Sequence, residues 1–158
     1  MTQLILERSQ LEIGLVPVAD AFAGTVSSDV VSFARHERVR FLVFWGVGAT
    51  GTVTLTVEAC DNVTPSTTSA VPFRYRRLSA AGQAPGAITA VAATGILTTA
   101  GSDQIYECEV AAEAMLASGY GFVRLKSIES VNSPLLGGIL IEMLDAKFAG
   151  STHVTATA

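Results

Sequence analysis

The stretch 41-FLVFWGVGATGTVTLTVEAC-60 decides how this chain is read. Its middle, Gly46-Val47-Gly48-Ala49-Thr50-Gly51, fits the dinucleotide-binding pattern G-x-G-x-x-G. In a nucleotide site that pattern ends a strand and opens a helix, whose free N–H groups and dipole meet the pyrophosphate. Here the continuation, Thr52-Val53-Thr54-Leu55-Thr56-Val57-Glu58-Ala59, alternates strictly between polar and apolar. A period of two puts Val53, Leu55, Val57 and Ala59 on one face and the threonines with Glu58 on the other, which is a strand. The acidic residue expected about 20 positions further on is missing too, because the region near Ser69 is a Thr/Ser loop. The segment therefore reads as a β-hairpin: strand 38–45, a glycine turn using positive φ, and strand 52–60.

The same alternation continues on both sides. Arg38-Val39-Arg40-Phe41 alternates before the strand turns apolar on both faces. Phe73–Leu78, Gln104–Val110, Gly121–Ile128 and Pro134–Leu144 repeat the theme, and Gly137-Gly138 argues against helix in the last of them. Strand-like runs separated by Gly, Pro, Asn, Asp or Ser predict an all-β chain, with the spacing of a β-sandwich or barrel. One short helix is expected near 111–117, about two turns long and stopped by Gly119. The first dozen residues read equally as a short helix or an extended arm. The expected organisation is an N-terminal arm at 1–19, a β-sandwich domain at 20–150 and a short polar C-terminal tail at 151–158 that frays in solution.

Composition narrows the function classes. Of 158 residues, 49% are hydrophobic and 15% charged, against about 25% charged in ordinary soluble domains; mean hydropathy is +0.46. Such a chain is expected to bury further surface against copies of itself or a partner. A net charge of -4 and a pI near 5.1 argue against coating nucleic acid, which needs a basic stripe. Glu7, Arg8 and Glu12 fall where a secretion signal has its apolar run. The longest uncharged stretch, Leu78–Ser102, is broken by Gly82, Pro85, Gly86, Gly95 and Gly101, so no membrane helix is expected. Cys60 and Cys108 form no C-x-x-C or Cys/His group, so they read as two buried thiols without zinc. His36 and His153 lack a ligand or catalytic partner at useful spacing and read as solvated. Asp61-Asn62 reads as a turn cap rather than a cation site. No catalytic, cofactor-binding or metal-binding residues are expected, and the chain is not expected to be an enzyme.

The charges are unevenly distributed. Six of the ten basic residues lie between 35 and 77, and seven of the fourteen acids lie from Asp103 to Asp145. Arg38 and Arg40 share a strand face, as do Arg74 and Arg76, and Glu107 and Glu109. Two readings stand side by side: cross-strand pairs within one sheet, or complementary patches that dock neighbouring subunits.

Three runs, VTLTVEACDNVTPSTTSAVPFRYRRL, TGILTTAGSDQIYECEV and GYGFVRLKSIESVNSPLLGGILIEML, resemble small structural proteins encoded in the head-gene regions of tailed bacteriophages and prophages, as does AFAGTVSSDVVSF. The resemblance spans roughly residues 20–150. It implies an antiparallel, jelly-roll-like β-sandwich that serves as a head decoration (cement) or minor capsid structural protein, without catalytic residues, seated on the outside of the major capsid lattice. The expected partners are the major capsid protein and further copies of the chain, as a trimer, with no nucleic acid and no membrane. Its expected place is the virion surface, after synthesis in the bacterial host cytoplasm. A tail or head–tail joining protein shares these features, and a small-ligand-binding β-sandwich is a further alternative. Leu4, Ile5 and Leu11 of the arm, with Arg38, Arg40, Arg74, Arg76, Glu107 and Glu109, are the candidate interface residues.

Overall fold

The structure is a computed structural model and describes residues 9–48 and 50–147. Leu4, Ile5, His153 and the tail at 151–158 lie outside the described residues. The strands are β1 (Gln10–Val18), β2 (Thr25–Ser27), β3 (Val31–Ser32), β4 (His36–Trp45), β5 (Thr52–Cys60), β6 (Thr68–Val71), β7 (Phe73–Leu78), β8 (Thr89–Val91), β9 (Ile96–Leu97), β10 (Gln104–Ala111), β11 (Phe122–Val131) and β12 (Gly137–Ala146). They form two antiparallel sheets. One has the order β1-β12-β4-β10-β7-β8, the other β2-β11-β5-β6, with β3 also on β11 and β9 also on β5.

The pairing is nested. β1 lies on β12, β2 and β3 on β11, and β5 on β6, while β4 and β7 flank β10. This is a doubled ribbon wrapped into two sheets, the arrangement of a jelly roll, with β10 wedged between β4 and β7. The all-β chain expected from alternation is what forms, and of sandwich and barrel it is the jelly-roll-like sandwich that the resemblance implies.

The hairpin expected at residues 38–60 does not form. β4 pairs with β10 and β12 in one sheet, while β5 pairs with β11 in the other. Both strands alternate with one apolar face, and those faces meet across the sandwich rather than lying side by side. Val39, Phe41, Val43 and Trp45 from β4 and Val53, Leu55, Val57 and Ala59 from β5 are all buried in one core. The glycines between them turn a corner from sheet to sheet. None of Gly46, Gly48 and Gly51 has positive φ. Gly48 and Gly51 are needed for close approach: a Cβ on Gly51 would stand 2.5 Å from the Ser133 carbonyl oxygen, and one on Gly48 would overlap Leu135.

An aromatic cluster closes the core near this corner. Trp45 stacks on Tyr106 with ring centroids 5.3 Å apart, and Tyr75 stacks on the other side at 6.2 Å. The polar tips of both central rings are satisfied: the Trp45 indole N–H donates to the Gly101 carbonyl, and the Tyr106 hydroxyl accepts from the Thr99 amide. Buried aromatic rings with polar tips require such partners.

Three further expectations are corrected. The helix near 111–117 is a single 3-10 turn, Ala112–Met115, closed where the Gly119 amide donates to the Met115 carbonyl; at +71° Gly119 has the positive φ that ends it. The expected arm at 1–19 is, over Gln10–Val18, an edge strand hydrogen-bonded to β12, so these residues belong to the sandwich. His36 is buried at the start of β4 rather than solvated. The Asp61-Asn62 pair caps its turn: Asp61 accepts from the Ser66 and Thr67 amides, and Asn62 from the Thr64 amide.

Candidate functional site

The wedge strand β10 explains where the sequence put its charges. β4 brings Arg38 and Arg40 to the outer face of the sheet that runs from β1 to β8, and β7 brings Arg74 and Arg76 to the same face. Placed edge to edge, those strands would set guanidinium against guanidinium, and like charges directly opposite are destabilising. β10 separates them with Glu107 and Glu109, and β12 adds Glu142 beyond β4. The register sets Glu142 opposite Arg40, Arg40 opposite Glu109, and Glu109 opposite Arg74, and it sets Glu107 opposite Arg76.

The side chains form a ladder. Glu107 accepts from Arg76 Nε at 2.9 Å and sits 3.2 Å from Arg40 Nη1. Arg40 also donates through Nε to Glu142 at 3.0 Å and makes a second contact there through Nη2. Burial alone would lower the pKa of Arg40, but the hydrogen bond to Glu142 and the charges of Glu142, Glu107 and Glu109 outweigh it and hold the value above the ordinary one. Arg38 pairs diagonally with Glu109 at 3.6 Å and with Asp145 at 3.2 Å, both in exposed surroundings. The inner rungs, with Glu107 at 14% and Glu142 at 15% side-chain exposure, are the ones shielded enough to matter energetically.

The structure therefore brings six of the candidate residues together, as cross-strand pairs within one sheet. Arg74 differs from the rest: it is exposed and enters no ion pair among the described residues, because its cross-strand neighbour Glu109 turns to Arg38. Around it lies an open basin of about 340 Å³, lined by Arg38, Arg40, Arg74, Arg76, Tyr75, Ile88, Glu107 and Glu109. Leu11 lies apart from this cluster, on β1 at the far edge of the same sheet. It is 61% exposed, beside Ile13 at 59%, Val16 at 63% and Val18 at 50%.

A second charge cluster on the other sheet was not anticipated. Glu58 on β5 accepts from Arg124 Nη2 at 2.7 Å and from Lys126 Nζ at 3.1 Å, both on β11, and is itself only 6% exposed. Alternation had placed Glu58 on the polar face. The pairing with Arg124 follows from the β5–β11 register, which composition does not reveal.

Cys60 and Cys108 are free and buried. Burial pushes the Cys60 thiol up to about 11, and burial drives Cys108 up as well. Among the described residues no group of three or more His, Cys, Asp or Glu is placed to hold a metal, and no helix is long and apolar enough to cross a membrane.

No protein-family model matches the sequence, and no curated protein matches it. Among solved structures, the crystal structure of the SPBc2 prophage-derived protein YomS aligns with 88% of this chain and 93% of its own. The identity is 6% and the TM-score 0.43.

Proposed function

We propose that the chain is a virion structural protein that binds the outside of the major capsid lattice and stabilises the head, working as a homo-oligomer. The observation that carries this reading is strand β1. Four aliphatic side chains exposed by half or more line one nine-residue strand at a sheet edge that no other strand covers among the described residues. An open, aliphatic edge offers both unpaired backbone groups and apolar surface, and it is a template for another chain. Only Glu12 carries charge between residues 10 and 18, so little on this edge repels an incoming strand. The sequence resemblance to phage head proteins supplies the kind of partner, the major capsid protein, and the trimer as the oligomer.

Such a protein works by adhesion. A stiff jelly roll holds its contact surfaces at fixed spacing, and an oligomer engages several capsid subunits at once. Simultaneous attachment raises the effective affinity of individually modest contacts. The reading needs no turnover, cofactor, nucleic acid or membrane. It places the mature protein on the virion after synthesis in the bacterial cytoplasm.

The test is co-sedimentation with shells of the major capsid protein, comparing the natural chain with Ile13→Lys/Val16→Lys. Charging the exposed edge should lower attachment about tenfold or more, equivalent to roughly 1.4 kcal/mol, while the thermal midpoint stays within a few degrees. Attachment equal to that of the natural chain would contradict the proposal.

A further inference from the structure

We infer that the free edge of β8 takes an extended segment of a partner protein carrying an acidic side chain, which Arg74 receives. This rests on reading the chain as an attachment protein and supplies the chemistry of one of its contacts.

Arg74 is the member of the ladder left unsatisfied. In its basin four arginines face two glutamates, and Glu107 already serves both Arg40 and Arg76, while Glu109 is engaged by Arg38. Asp145 and Glu142 hold Arg38 and Arg40 from their other sides, so Arg74 is the one arginine of the basin with no carboxylate partner among the described residues. An anionic group that reaches Arg74 therefore meets an exposed guanidinium that no carboxylate of the sheet has already taken.

The backbone beside Arg74 is open. β8 is the last strand of its sheet, three residues long, and its outer edge pairs with no strand among the described residues. Its middle residue, Ala90, lies directly opposite Arg74. A methyl group there leaves the arginine a clear path over β8 toward the edge. A strand added to β8 would lie about 4.8 Å further out, and its residue opposite Ala90 would share the face of Arg74. That is within the reach of a guanidinium that spans one small neighbour. A Glu or Asp at that position meets Arg74. Ile88, 66% exposed at the entry to β8, offers apolar contact to a neighbouring side chain of the same segment.

The probe is the blocked peptide Thr-Val-Glu-Val-Thr, with Thr-Val-Gln-Val-Thr as its uncharged counterpart, titrated to millimolar concentration into the 15N-labelled protein at low salt. The expected result is amide shifts centred on Thr89, Ala90 and Val91, with the Gln peptide bound several-fold more weakly. Arg74→Ala should remove that difference. Ala90→Glu, which offers Arg74 a carboxylate within the chain, should weaken the Glu peptide. Both substitutions are at exposed positions, so an unchanged thermal midpoint verifies the fold. Equal binding of the two peptides, shifts confined to β1, an undiminished Glu/Gln difference in Arg74→Ala, or no shifts at millimolar peptide would each overturn the inference. None of those results bears on capsid attachment through β1, which the Ile13→Lys/Val16→Lys comparison tests separately.

Discussion

Three kinds of side chain carry the architecture, and each gives a measurable consequence. Glu107 stands between Arg40 and Arg76 with 14% of its side chain exposed. Glu107→Gln removes the charge while keeping the shape, leaving two guanidiniums facing each other across β10. The expected loss is about 1–2 kcal/mol in chemical denaturation, between the cost of an exposed pair and that of a fully buried one. Arg74→Ala, in contrast, should stay within about 0.5 kcal/mol of the natural chain. The glycines of the corner are held by space. Gly51→Ala drives a methyl group onto the Ser133 carbonyl, and a loss of about 1–3 kcal/mol is expected from overpacking. The thiols give a pH dependence. The folded state holds the Cys60 proton up to about 11, against an ordinary value of 9.0. Because the unfolded chain ionises first, this contribution to stability is present below pH 9.0 and is lost as pH rises through about 11. The denaturation midpoint should fall across that window, and less so in Cys60→Ala. At neutral pH neither thiol should react with Ellman's reagent until the chain unfolds.

Strands were more legible in the sequence than their neighbours. Alternation located β4, β5, β7, β10, β11 and β12 within a few residues, because a two-residue period follows directly from one buried face. Partnership did not follow. A glycine-rich turn between two alternating strands reads as a hairpin, yet the turn between β4 and β5 crosses between sheets. Local sequence specifies which face is apolar, and two apolar faces can meet edge to edge or face to face. Glu107 and Glu109, about sixty residues away, give the arginines of β4 their partners on β10 and so favour that neighbour, which no local reading of residues 38–60 contains. The same long-range pairing hid the Glu58–Arg124–Lys126 cluster. That residues 10–18 form a strand of the sandwich is hard to read from the sequence for a related reason. Leu11, Ile13 and Val16 alternate poorly because β1 bulges near Gly14, and an edge strand buries little. The register account has its own test, a charge exchange across β7 and β10. Arg76→Glu and Glu107→Arg should each destabilise, and the double variant should recover a substantial part of the loss, giving a coupling of about 0.5–3 kcal/mol. Strict additivity would mean that the ladder does not set the pairing of β10.

The jelly roll buries both thiols, and the proposed contact surfaces lie at opposite edges of one sheet: the aliphatic edge at β1, and the basin around Arg74 beside β8. A chain with 15% charged residues is suited to life in an assembly, where copies and partners cover what water would otherwise meet. Composition points in that direction, and the assembly proposed for the chain is a phage head. The fold itself is shared by many functions, so the position in the particle has to be counted. Quantitative mass spectrometry of purified virions gives the number of copies of this chain relative to the major capsid protein. The reading offered here requires a fixed ratio set by the icosahedral lattice, with many copies per head. A handful of copies per particle, the number fitting a neck or tail ring, or none at all, would contradict it.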